Sequence, residues 1–222
     1  MLRSPILDGL GARRGTDKSS GPQGHDFLRK YEFFFQKWRD EEIVLLELGV
    51  LHGASLRAFA DYFPRATVVG ADIEEITLKE AQGRVKVIVG DIAQISFLEK
   101  LAALGPQIVI DDASHWWPDQ LRSLFALYER LRSGGIYVVE DVHTSFEPLA
   151  PLFQAGMSFP PFAFLQKVAE YMTGNYGPSP IVRDKPLLPL SPAAEFHEEI
   201  KAVAQMTDAI VFIERAVILI KK

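Results

Sequence analysis

Cysteine is absent from the 222 residues. Disulfides and thiolate zinc sites are therefore excluded. Long apolar runs are missing as well, both the eighteen or so residues that would span a bilayer and the apolar core that follows a charged start in a secretion signal. The expectation is a cytoplasmic chain with no membrane partner. Basic charge is in short supply, since 24 Lys and Arg face 29 Asp and Glu for a net charge of −5. With no basic stripe to neutralise a phosphate backbone, nucleic acid is not an expected partner.

What the chain does contain is alternation. Short apolar runs take turns with helix-like segments, the pattern of stacked βα units around a largely parallel sheet. Strands are expected at 43–48, 67–71, 85–89, 107–111 and 136–140, each nearly all apolar as strands covered on both faces must be. After the fourth, Leu121, Leu124, Phe125, Tyr128 and Leu131 recur at helical spacing, with Pro118 suited to the first turn and Gly134 to the exit. The run DAIVFIERAVILIKK reads as a tight antiparallel hairpin at the sheet edge. The fold class is thus α/β, a Rossmann-like doubly wound sheet, in one domain over residues 1–222. Residues 146–206, rich in proline and aromatics, interrupt the βα rhythm and read as an insertion. Its Phe146, Phe153, Phe159, Phe162, Phe164, Tyr171 and Tyr176 suit either a lid over a lipophilic acceptor or core packing.

Polar residues gather where these strands end, which is where open α/β sheets bind ligands. In ELGVLHGASL the first strand closes on Glu47 and turns through Gly49 and Gly53 towards a helix opening near Ser55. A dinucleotide loop would carry glycine two residues after Gly49, and Leu51 stands there instead. An NAD-dependent oxidoreductase is therefore the weaker reading of this loop. Asp72 and Asp91 end the second and third strands, at places where an acid accepts hydrogen bonds from a ribose or an adenine amino group. The fourth and fifth strands each end in a pair of acids with a histidine soon after, in IVIDDASH and YVVEDVHTS. If the two strands are neighbours, Asp111, Asp112, Glu140 and Asp141 converge on one crevice. Carboxylates so close together need protons or a cation. Oxygen donors without cysteine favour Mg2+, or Mn2+ or Ca2+, over zinc.

The pattern E-x-G-x-x-x-G-x-S with later aspartates resembles class I S-adenosylmethionine-dependent methyltransferases. More closely, GTDK at 15–18, LELGVLHGASLRAFADYFP, IVIDDASH and YVVEDVHTSF together look like the macrolide-glycoside O-methyltransferases of the mycinamicin and tylosin pathways and their relatives labelled cephalosporin hydroxylases. The resemblance runs from about residue 15 to 147 and departs at Ala113, where the family usually has glycine. It implies S-adenosylmethionine as cofactor and Asp112, Glu140 and Asp141 as metal ligands. His115 becomes the general base, with His143 a competing base or an orienting residue. Asp111 then serves the cofactor side or orients its loop. Thr16, Asp17 and Lys18, within an N-terminal segment of residues 1–40, are expected to fold over the cofactor's amino acid end. Of Trp116 and Trp117, one is expected in the core and the other on a substrate wall.

The function so implied is Mg2+-assisted methylation of a hydroxyl, on a sugar of a glycosylated natural product. The partner is a small-molecule acceptor presenting a vicinal diol, with assembly into a homo-oligomer the remaining partner expectation. A catechol or phenol O-methyltransferase is the nearest rival, and a non-catalytic binding protein of the same fold a further one.

Overall fold

In the computed structural model, which describes residues 6–174 and 195–222, the apolar runs become one seven-stranded sheet. The strands are β1 (Val44–Leu48), β2 (Thr67–Asp72), β3 (Val85–Val89), β4 (Ile108–Asp111), β5 (Ile136–Val139), β6 (Thr207–Ile213) and β7 (Ala216–Lys221). Their order is β3-β2-β1-β4-β5-β7-β6, with β7 antiparallel to both of its neighbours and the other pairings parallel. Strand order reverses between β1 and β4. A crevice opens at that point beyond the carboxyl ends of the strands.

The helices are α1 (Ile6–Arg14), α2 (Phe27–Phe35), α3 (Ala54–Tyr62), α4 (Ile95–Ala102), α5 (Trp117–Tyr128), α6 (Ala150–Phe153), α7 (Pro161–Gly174) and α8 (His197–Met206). Residues α1 to α3 contribute cover one face of the sheet, where Leu7, Phe27, Tyr31, Phe35 and Phe59 pack on Leu45, Ile108, Ile110, Ile136 and Val138. On the other face, side chains of α4, α5, α7 and α8 meet Leu46, Leu48, Val109, Tyr137 and Val139. Because successive strand residues point to opposite faces, each buried strand supplies both cores and must be apolar throughout.

The stretch expected to be an insertion is in part scaffold. Helices α7 and α8 lie on the connection from β5 to β6, which run parallel, and bury Phe164, Leu165, Val168, Ile200, Val203 and Ala204 in the same core as α5. These helices complete another crossover unit. Phe146, in contrast, is exposed, and Phe153, Phe159, Phe162 and Tyr171 are half-buried. Tyr176 lies outside the described residues. Among the described residues, no helix is long and apolar enough to cross a membrane.

Candidate active site

The loop after β1 brings the chain closest to itself. Gly49 has a φ of +87°, and a Cβ built there would lie 2.2 Å from the carbonyl oxygen of Asp112. Only glycine allows the loop after β1 to pass so near the loop after β4. Gly53, also left-handed, precedes the first turn of α3. The side chain of Ser55 then donates to Glu47 Oε2 at 2.7 Å, fixing one oxygen of this buried acid. Burial pushes Glu47 up to about 7, against the pull of Lys18 and Ser55.

Asp72 holds the same loop from its far side. Its Oδ2 accepts the amide N–H groups of Val50 and Leu51 at 2.7 and 3.3 Å, and its Oδ1 accepts that of Glu74 at 2.9 Å. Asp91 accepts the Ala93 amide at 2.8 Å. Asp72 thus ends β2 latched to the β1 loop, and Asp91 closes a turn two residues beyond β3. Leu51, which replaces the glycine of a dinucleotide loop, is left-handed and largely exposed.

The two acid pairs do not all converge, and the pleat of the sheet is the reason. Asp111 lies opposite Val139 in the β4–β5 register, and its side chain shares the face of Val109 and Tyr137. There it is buried beneath α5, accepting the Tyr137 hydroxyl at 3.2 Å. Burial drives its carboxyl up to about 7 despite that hydrogen bond. Of the two roles expected for Asp111, orienting the loop fits this position, and contact with a cofactor in the crevice does not. Glu140 takes the opposite face. Its Oε1 accepts the Tyr31 hydroxyl at 2.9 Å and its Oε2 accepts Lys18 Nζ at 2.5 Å. Desolvation holds this buried carboxyl well above its ordinary range, Asp112 adding to the effect and Lys18 opposing it.

Asp112 and Asp141 point into the crevice with His115. One ligand atom from each of these three residues lies within 4.8 Å of the other two. His115 Nε2 is 3.4 Å from Asp141 Oδ2 and 3.9 Å from Asp112 Oδ1. His143 Nδ1 sits 3.6 Å from the other oxygen of Asp141, and burial keeps its imidazole below the usual histidine value. The Oδ1 of Asp141 and the Nδ1 atoms of both histidines are buried without a hydrogen-bond partner among the described residues. Such orphaned polar atoms are uncommon, and the orphaned Oδ1 of Asp141, together with the Asp112 carboxylate and the Nε2 of His115, fits a divalent cation. Glu140, expected as a ligand, stands outside this converging group.

Several residues brace the cluster from α5. Gln120 donates to the Glu140 carbonyl at 2.8 Å, and the Trp117 indole donates to the Thr144 carbonyl at 3.2 Å. Trp117 is the core member of the tryptophan pair, while Trp116 is 52% exposed beside the cluster. The Phe153 ring lies 6.4 Å from that of His115.

The GTDK segment divides its residues. Asp17 faces outward, whereas Thr16 and Lys18 are buried. Lys18 reaches Asp112, Glu140 and Glu47, the last at 3.6 Å. Neither this role nor that of Tyr31 was read from the sequence. The signal for Tyr31 was present, since it is the one hydroxyl on the Phe27–Tyr31–Phe35 stripe of α2.

Residues 46–139 match a family model described as a methyltransferase domain. The chain is 38% identical over 153 residues to the 8-demethyl-8-alpha-L-rhamnosyl tetracenomycin-C 2'-O-methyltransferase of Streptomyces olivaceus, covering 65% of this chain and 39% of the relative. It is 35% identical over 155 residues to the mycinamicin VI 2''-O-methyltransferase of Micromonospora griseorubida, covering 66% and 38%. The chain therefore spans about two fifths of the length of these curated relatives. Among solved structures, the MycE methyltransferase of mycinamycin biosynthesis, in complex with Mg, SAH and mycinamycin VI, superposes with a TM-score of 0.77 at 26% identity. That match covers 99% of this chain and 55% of the other. The fold is that of a Rossmann-like methyltransferase.

Proposed function

We propose that the chain transfers the methyl group of S-adenosylmethionine, with the help of a divalent cation, to a hydroxyl on a sugar of a glycosylated natural product. The observation that carries this reading is the convergence of Asp112, His115 and Asp141 next to the glycine loop of β1, across the switch in strand order. The curated relatives, named as methyltransferases of sugar hydroxyls, and the solved relative holding Mg and SAH support it.

In this reading the loop 49–55, latched by Asp72, receives the cofactor, with Glu47 beneath it and Asp91 at its side. Asp112 and Asp141 hold Mg2+ or Mn2+, and Glu140 backs them from below. When bound, such an ion lowers the pKa of an alcohol oxygen and orients it for attack on the sulfonium methyl. His115 Nε2, directed at the same point, accepts the hydroxyl proton, and His143 supports Asp141 from its other oxygen. Exposed Trp116 and half-buried Phe153 offer the acceptor an apolar wall. The acceptor we infer is a vicinal diol, because adjacent oxygens can share one cation and so fix which of them reacts.

Mass spectrometry after incubation with methyl-labelled S-adenosylmethionine and a panel of glycosides and catechols tests the reading. One label on a sugar hydroxyl is expected, lost in chelator and restored by Mg2+. Labelling of catechols alone, or undiminished labelling in excess chelator, would overturn it.

A further inference from the structure

The ammonium of Lys18 is enclosed by acids. Its residue is 3% exposed, its Nζ bonds Asp112 Oδ2 and Glu140 Oε2, and Glu47 Oε1 lies 3.6 Å away. Burial lowers the ammonium pKa, but Glu140, Asp112 and Glu47 outweigh it and raise it well above the ordinary value. The carboxylate of Asp112 is divided between two neighbours: Oδ2 turns to Lys18 while Oδ1 turns to His115 and the converging ligand atoms. Lys18 is itself tied down. Its carbonyl accepts the amides of Phe27 and Leu28 in the first turn of α2, and Tyr31 on the same helix holds the second oxygen of Glu140.

We infer that Lys18 is a positioning residue, a fixed internal cation that keeps Asp112 and Glu140 side by side and so presents Asp112 Oδ1 to the divalent ion. Two carboxylates this close repel and turn apart, or take up a proton, unless a cation lies between them. An ammonium anchored on α2 supplies that cation from the chain itself and leaves the opposite oxygen of Asp112 free for the metal. The N-terminal segment then acts on the site through Asp112 and Glu140 rather than by touching the substrate. The metal half of this inference rests on the function proposed above.

Because the sequence contains no cysteine, position 18 can be tested by a single engineered thiol. In Lys18→Cys, the affinity for Mn2+ alone, measured by calorimetry or electron paramagnetic resonance, should weaken by about tenfold or more. Alkylating that thiol with 2-bromoethylamine in denaturant, before refolding, replaces the lysine γ-methylene by sulfur and restores the ammonium. Affinity should return to within about threefold of the parent. Alkylation with iodoacetamide restores bulk without charge and should not rescue it. Tyr31→Phe, which keeps the packed ring, should weaken Mn2+ binding in the same direction and reads the same clamp if Lys18→Cys fails to fold. Unchanged or tighter Mn2+ binding in Lys18→Cys, or equal rescue by iodoacetamide, would overturn the inference; with a failed fold, unchanged binding in Tyr31→Phe would do so. A parent protein that takes up no Mn2+ would instead overturn the metal reading itself.

Discussion

His115 Nε2 lies 3.4 Å from Asp141 Oδ2, and both residues hold left-handed backbone, with φ of +58° and +54°. For residues with a side chain, that conformation costs free energy and persists only where the surroundings impose it. Around Asp141 they do: Gln120 of α5 holds the carbonyl of Glu140, and Trp117 holds that of Thr144, whose hydroxyl donates to the Asp141 carbonyl. The two strained residues come from loops after different strands and aim at one point.

Asp141→Asn keeps the shape of the side chain and removes its charge. The divalent ion concentration for half-maximal activity should rise by about ten- to a hundredfold, with cofactor affinity little changed. An unaltered metal requirement in activity titrations would remove Asp141 from the ligand set.

His115 and His143 flank Asp141 on opposite oxygens, so their roles separate by substitution. His115→Ala should lower turnover by about 10² to 10⁴, and His143→Ala by much less. A large loss in His143→Ala with a small one in His115→Ala would exchange the two assignments.

Asp72→Ala frees the amides of Val50, Leu51 and Glu74 at once. S-adenosylmethionine should bind the parent protein without metal, and the variant more weakly by roughly 1 to 3 kcal/mol. Calorimetry in chelator is the check, and equal affinities would mean the loop does not need this latch.

Asp111 gives a dependence of stability on pH. Its folded carboxyl is raised from 3.8 to about 7 by burial, so folding takes up a proton. The stability it contributes is full below about pH 4 and is lost as pH rises through 7. Asp111→Asn should therefore narrow the difference in melting temperature between pH 5 and pH 8, measured in chelator. Glu47, also near 7, remains in the variant and keeps part of the slope. An identical difference in parent and variant would show that Asp111 ionises without cost.

Strands covered on both faces are legible because every residue must be apolar, and β1 to β5 fall within a residue of their expected ranges. The acids at their ends were legible for the same reason, as abrupt breaks in those runs. Which face each acid takes was readable from the alternation of the strand but only once the register of β4 against β5 was known. Lys18 was not readable as a partner of Asp112 and Glu140, which lie 94 and 122 residues away, because nothing local marks such a contact. The crossover helices α7 and α8 were hidden by surrounding proline and aromatic residues, although Phe164, Leu165 and Val168 keep helical spacing.

The place of β7 has a consequence for how the chain folds. It follows β6 in sequence, yet it is inserted between β5 and β6, pairing Ile136 with Ile220 and Val139 with Val217. Until residues 216–221 are available, the edge of β5 that leads to Glu140 and Asp141 remains unpaired, and β6 has no neighbour to join. An emerging chain could assemble β1 to β5 early, but the sheet can close only late, through contacts between residues far apart in sequence. During synthesis that bare edge joins the outer edge of β3 as a place open to pairing with another chain.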